Sequence, residues 1–571
     1  MASGLTNTNT DDISGGFQAN IINLQGTGPT SGAATINIAA ASPSTGLDMV
    51  NNGSANPVIN LNANAGSGAG LTYNVLAPIT VSTSAASPNL TFSNTAGNGT
   101  AAFNFSGGIT ANAAGFNDKV QGTVTLSGAT NTFGDGFDLA PGAAGALNLN
   151  ANVNVTGAKT GSFSVGYDGT VTQDNNATVN LGTISSTTNY VYAAFIGVGT
   201  PGTTGTYNLN SGTLNVNVYQ PYGGLRVSVS TGAAGILNVN GGTLNNYVEN
   251  SAATADALGI LSVSTGGGMT GTVNQAGGTV NTGLVNLVGY ATTSSPSTAT
   301  YNLDGGTLAT EAVYAGVSTA NGGTSVFNFN GGTLQANIQE GTAVDGKTVY
   351  RLMSGLTAVN VQNGGAIIDS NGHFAEVDQA LLSDPSSPNT LDGGLTVKNS
   401  SSTAGTVFLT GANTYTGATT VASGTLALGV YSTFIGSLAN SNITIDKGAT
   451  FTGAAPSSGK VGVLNFIING DKSNLITDNG TFNITDLSLV LNLTGTQTMS
   501  QYVLANYSGG TLTGSAFYST TLANGWSINY NYQGSKEIML VNANAVPEPA
   551  TLGLVGAGAL GLLLLGKRRR V

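Results

Sequence analysis

The chain has 571 residues, 85 of them glycine, with no cysteine and 7% charged residues, far below the ~25% of an ordinary soluble domain. Low charge beside 40% hydrophobic residues does not fit a solvated disordered chain, so Asn, Thr, Ser and Gly must make the surface. Residues 1–546 hold ten Lys and Arg against 24 Asp and Glu, a net charge of −14; without a cationic cluster, nucleic acid is excluded as a partner and anionic lipid surfaces are disfavoured.

The absence of cysteine is compatible with export. Met1-Ala2-Ser3-Gly4 shows no basic start and no apolar run, and the first lysine is Lys119. No signal peptide is legible there, and the expectation is a start that is trimmed or misassigned, with cytoplasmic retention as the alternative. Residues 1–160 read as a β-rich start. Alternation at Ile36-Asn37-Ile38, Val58 to Leu61, Leu71 to Val75 and Phe103-Asn104-Phe105 predicts strands, separated by Gly, Ser, Asn and Pro clusters that predict turns.

A repeat runs through residues 161–340. Its copies are Tyr207-Asn-Leu-Asn-Ser-Gly-Thr-Leu214, Leu237-Asn-Val-Asn-Gly-Gly-Thr-Leu244, Val273-Asn-Gln-Ala-Gly-Gly-Thr-Val280, Tyr301-Asn-Leu-Asp-Gly-Gly-Thr-Leu308 and Phe327-Asn-Phe-Asn-Gly-Gly-Thr-Leu334, starting 30, 36, 28 and 26 residues apart. Phe103 to Ile109 is an outlying earlier copy. Two apolar residues flank one Asn and so share a strand face, while Gly-Gly supplies the φ > 0 that a sharp turn needs. Between copies lies a second apolar piece, such as Leu225 to Val229 or Val285 to Gly289. One period cannot bury its apolar face alone. Stacking successive periods solves this, and the expected fold is all-β: a right-handed parallel β-solenoid with a C-terminal β cap and one short hydrophobic C-terminal helix. Stacking also brings Asn208, Asn238, Asn274, Asn302 and Asn328 to ~4.8 Å spacing, close enough for an amide ladder. The alternative use of that row is to offer polar groups to a glycan.

Residues 341–460 continue the solenoid, and the stretch around 340 to 400 holds most of the charge density, from Glu340, Asp345, Lys347 and Arg351 to Asp369, His373, Glu376, Asp378, Asp384 and Asp392. Asp369, Glu376 and Asp378 with Arg351 are the only candidates for acid–base chemistry, against a reading as solvated turns; His373 is a lone candidate base. Asp135 and Asp138 are too few carboxylates for a calcium site, and one His without Cys makes no zinc cluster. Gly197-Val-Gly199-Thr-Pro-Gly202 satisfies GxGxxG, but Pro201 and the residues after it do not begin the helix that a dinucleotide site requires. No catalytic, cofactor or metal residue is assigned.

Gly405 to Gly429, with Leu409-x-Gly411-Ala-Asn-Thr-Tyr-Thr-Gly417, Thr-Thr-Val421 and Gly424-Thr-Leu-x-Leu-Gly429, resembles the autotransporter-associated β-strand repeat, or passenger-associated transport repeat. Ala418 stands where a second glycine is usual. Gly364 to Gly372 is similar to the coil that often precedes this repeat, which implies scaffold roles for Asp369 and His373. Residues 461–545 carry longer strands and the single Trp, Trp526, and read as the cap that closes the open end.

The last segment, residues 546–571, has three parts. Val546-Pro547-Glu548-Pro549 is stiff and extended, Thr551 to Leu565 is uncharged and leucine-rich, and Lys567-Arg568-Arg569-Arg570 is a basic end that would stay on the cytoplasmic side of a membrane. Order and spacing resemble the PEP-CTERM sorting signal of Gram-negative bacteria. The resemblance implies recognition and processing by an exosortase-type membrane transpeptidase and delivery to the cell surface or an extracellular polysaccharide matrix. Fifteen uncharged residues fall short of the ~20 that span a bilayer, which suits transient insertion in the inner membrane before processing. A tail of this kind is not the C-terminal β-barrel of an autotransporter. The expected function is non-enzymatic: an exported structural protein of the surface or extracellular matrix. The alternatives are a glycan-binding adhesin and a β-helix polysaccharide lyase or hydrolase.

Overall fold

The computed structural model describes residues 6–11, 17–24, 32–42, 45–61, 69–82, 89–93, 101–112, 114–119, 122–134, 137–139, 145–156, 163–182, 194–218, 224–248, 257–289, 291–316, 319–337, 342–344, 347–386, 391–429, 436–439, 441–454, 461–497 and 499–542. Apart from two short 3-10 turns, Thr319–Asn321 and Tyr532–Gly534, every regular element in them is a strand. The C-terminal helix expected from the sequence falls outside the described residues.

The strands are short because each crosses only one side of a coil. One turn of the chain makes Thr204–Leu209, then Thr213–Val218, then Leu225–Arg226; the next makes Ala234–Val239, Thr243–Val248 and Ile260–Ser264. Each of these strands pairs in parallel with its counterpart one turn later, Tyr207 facing Leu237 and Leu214 facing Leu244; pairing with a neighbour in sequence is local, as where Thr243–Val248 meets Ala257–Leu258 antiparallel. Three faces of stacked parallel strands result, and each period supplies three strands where the repeat alone suggested two or more. The first face is one 14-stranded sheet, beginning at Thr6–Asp11 and ending at Leu381–Ser383. Beyond it, a sheet that begins at Ala412–Asn413 takes the same place in each turn.

Alternation decides what fills the coil. In Thr204–Leu209, Gly205, Tyr207 and Leu209 are buried and Thr204, Thr206 and Asn208 are half-exposed. Inside, like stacks on like: Tyr301 lies on Phe327 with ring centroids 5.2 Å apart, and Phe451 on Phe482 at 5.8 Å. One glycine of the Gly-Gly pair turns the corner with φ > 0, the second at Gly242, Gly278 and Gly306 and the first at Gly331. A second glycine column, Gly205, Gly235 and Gly271, has another cause: an added Cβ there would run into the carbonyl of Val165, Val227 or Val263.

The coil closes at its C-terminal end by a change of pairing. Gln501–Asn506 runs antiparallel to Glu537–Asn542, which runs antiparallel to Trp526–Asn529, and Trp526 packs on Tyr502 at 5.7 Å. The final strand edge is thereby turned away from parallel growth.

Candidate functional site

The charged stretch does not converge on one point. Asp369 ends the second-face strand Ala366–Asp369, whereas Glu376 and Asp378 lie on the third-face strand Phe374–Asp378. Asp369 is 1% exposed and ties successive turns together: it accepts the backbone N–H of Asn371 at 2.9 Å and of Ser400 at 3.0 Å, and Nε2 of Gln335 at 3.1 Å. His373 sits in the tight turn that follows. Its N–H donates to the Ser370 carbonyl, its carbonyl accepts from Thr406, and burial pushes its imidazole below the usual range.

Glu376, Asp378 and Arg351 do come together. Arg351 pairs in register with Glu376, and its Nε lies 3.7 Å from Oδ2 of Asp378. Thr410 donates to Oδ1 of Asp378 at 3.2 Å. Glu376 is 6% exposed and its Oε1 is buried without a hydrogen-bond partner. Burial, with the charge of Asp378, pushes this carboxyl up to about 7 against the opposing pull of Arg351. The arrangement can hold a proton near neutrality, but the carboxyl faces packed residues, with Phe408 in register beside it. Among the described residues no group of three or more His, Cys, Asp or Glu is placed to hold a metal ion. The side chains of Asp135, Asp138, Glu340, Asp345 and Lys347 lie outside the described residues. Gly197 lies within the strand Ala194–Val198, and Gly199 and Gly202 lie in the turn between it and Thr204–Leu209, so a strand follows the GxGxxG pattern where a nucleotide site needs a helix.

The Asn row forms a ladder. Each Nδ2 donates to Oδ1 of the previous turn: Asn238 to Asn208 at 2.7 Å, Asn274 to Asn238 at 2.8 Å, Asn302 to Asn274 at 2.7 Å, Asn328 to Asn302 at 2.7 Å and Asn360 to Asn328 at 2.9 Å. A second ladder on the second face joins Asn154, Asn180, Asn215, Asn245 and Asn281. Sequence reading missed it, although Thr-Leu-Asn recurs at Thr213 and Thr243. Also missed was an interior device used twice: the buried hydroxyls of Tyr207 and Tyr301 donate to Oε1 of Gln173 and Gln275, each at 2.6 Å.

The stretch Gly405 to Gly429 builds the corner where the first face changes sheets. Asn413, 1% exposed, accepts from Leu381 N–H at 3.0 Å and donates to the carbonyls of Gly411 and Ser437, both at 3.0 Å. Tyr415 is buried with its hydroxyl 2.7 Å from that of Thr419. Asp392, from the preceding turn, accepts the N–H groups of Thr416, Gly417 and Gly394 at 2.6, 2.7 and 3.0 Å. Burial raises this carboxyl, but the three N–H donors outweigh it and hold it below the usual range. The motif residues are thus satisfied inward, as parts of a corner.

The proposed sorting residues Val546, Pro547, Glu548, Pro549, Lys567, Arg568, Arg569 and Arg570 lie outside the described residues. Among the described residues no helix is long and apolar enough to cross a membrane. Comparison with curated proteins and with solved structures finds no match. Two family models do match parts of the chain: the passenger-associated-transport-repeat over residues 404–428 and the PEP-CTERM protein-sorting motif over residues 545–570. The chain therefore carries a passenger-type repeat within its stacked-strand body and a PEP-CTERM sorting motif, the mark of an exported surface protein, in its tail.

Proposed function

We propose that the protein is a non-enzymatic structural component of the cell surface or extracellular matrix, sorted through its tail. The observation that carries this reading is the PEP-CTERM motif at 545–570 following a body built from stacked parallel strands. In this reading the coil is right-handed. Thr551 to Leu565 enters the inner membrane as a short helix, Lys567 to Arg570 remain cytoplasmic, and an exosortase-type transpeptidase acts near Pro547-Glu548-Pro549. Mature rod then joins the surface or its polysaccharide.

The engagement of the charged residues supports a non-enzymatic role. Asp369 and Asp392 are spent on turn N–H groups, and Glu376 is packed beside Phe408. An adhesin would be favoured by an exposed row of Tyr on the repeat, whereas Tyr207 and Tyr301 point inward and the Asn rows bond to themselves. Intact mass of the protein recovered from its native host tests the proposal. A species lacking part or all of residues 546–571, found in the surface or matrix fraction, is expected; an unprocessed chain in the cytosol overturns it.

A further inference from the structure

The cap bears a groove that the stacking scheme does not account for. A cavity of about 550 Å³ lies between the hairpin of Gly462–Asn469 with Lys472–Ser473 and the terminal antiparallel strands. Leu475, Met499, Val503 and Met539 give it an apolar lining, with Asp471 and Lys472 among its polar members. Leu475 and Met499 are 37% and 45% exposed, two of the few large apolar side chains left open on the described surface. Tyr502 fixes the hairpin by donating its hydroxyl to the Gly470 carbonyl. Two of the chain's six methionines sit here, and their unbranched, polarizable side chains adapt to an apolar partner of irregular shape.

The path of the chain points to the occupant. The last described residue, Asn542, donates its N–H to the Ser500 carbonyl at 2.8 Å, between the groove residues Met499 and Gln501. From that point 29 residues continue, and the uncharged Thr551 to Leu565, with seven leucines, begins after eight linking residues. Eight extended residues reach ~26 Å, more than enough to bring the segment back over the groove. An apolar segment of this kind has to leave water somewhere until it meets a membrane.

We propose that the groove lined by Leu475, Met499, Val503 and Met539 shelters the chain's own Thr551 to Leu565 segment until a membrane takes it. The cap is then a holder for the tail as well as the end of the coil. This is independent of whether the rod is structural, since the contact is intramolecular and is read on the purified chain.

Because the chain has no cysteine, a single engineered pair reports the contact cleanly. The test is the full chain carrying Met499→Cys with Leu560→Cys, oxidised mildly at low protein concentration, with the Met499→Cys single variant as the check on folding. An intramolecular disulfide that forms in buffer and is lost when dodecyl maltoside micelles are present is the expected result. A disulfide only between two chains overturns the proposal in favour of a neighbour's tail, and no disulfide overturns it outright. A second readout leaves the groove intact. In the unmodified chain, peroxide oxidation of Met499, mapped by mass spectrometry, should accelerate at least several-fold on adding micelles; an unchanged rate counts against the groove being occupied.

Discussion

Glu376 shows what one buried group does to the pH response of the rod. Its folded value of about 7 lies above the ordinary 4.5, so the folded state holds a proton that the unfolded state has released. Its contribution is fully present below about pH 4.5 and is lost as pH rises through 7, at up to ~1.4 kcal/mol per unit. Glu376→Gln should remove that loss and raise the urea midpoint at pH 8 relative to the parent, with little change at pH 4. Asp392 has the opposite sign. Its depressed carboxyl stabilises above the ordinary Asp range and loses that contribution as pH falls through its folded value. Tyr301 makes a different point, because its hydroxyl is the partner of a buried amide. Tyr301→Phe leaves Oε1 of Gln275 unpaired and should cost ~1–3 kcal/mol in denaturant titrations, although only one oxygen atom is removed.

At the scale of elements, the ladders and the corner carry the specificity. Asn274→Asp should destabilise more than Asn274→Ala, since it sets a carboxylate against Oδ1 of Asn238 and loses the donor in the same step. The excess should fade as pH falls toward ~3.9 and be absent below it, which hydrogen exchange on the strands Ala234–Val239 and Ser297–Leu303 would register. Much of this level is readable in sequence. Tyr207-Asn-Leu fixes which side chains enter the core, Gly-Gly marks the corner, and the recurrence of Asn at the same place in each copy implies stacking. The second apolar piece between copies marks the third strand of each period, although at Leu225–Arg226 that strand is only two residues long. The partner of a long-range side chain, however, has no local signal. Nothing near Tyr415 announces that Asp392 will organise its turn from 24 or 25 residues upstream.

For the whole molecule, nearest-neighbour stacking means that turns contact chiefly the turns beside them. Leu237→Ala, in the middle of the coil, is expected to cost ~2–5 kcal/mol locally. It should raise proteolysis around its own turn while the cap stays closed, and uniform cleavage along the chain would contradict this. Adhesion and rod-building demand little of such a scaffold beyond length and surface, which agrees with charged residues being drawn into turns. The charged cluster read from the sequence was dispersed for the same reason: ten residues of chain span more than one face, so neighbours such as Asp369 and Glu376 point in different directions.

The ladder Asn residues keep their bonds across intervals of 30, 36, 28, 26 and 32 residues. The faces are therefore constant while the corners absorb every difference in length. A deletion of one residue inside a strand would swap its inward and outward sets, but extra residues at a corner are simply set aside. Such a molecule measures itself in turns, so duplication of whole periods lengthens it without redesign, and a foreign peptide set between two faces would be displayed at a fixed height along the rod.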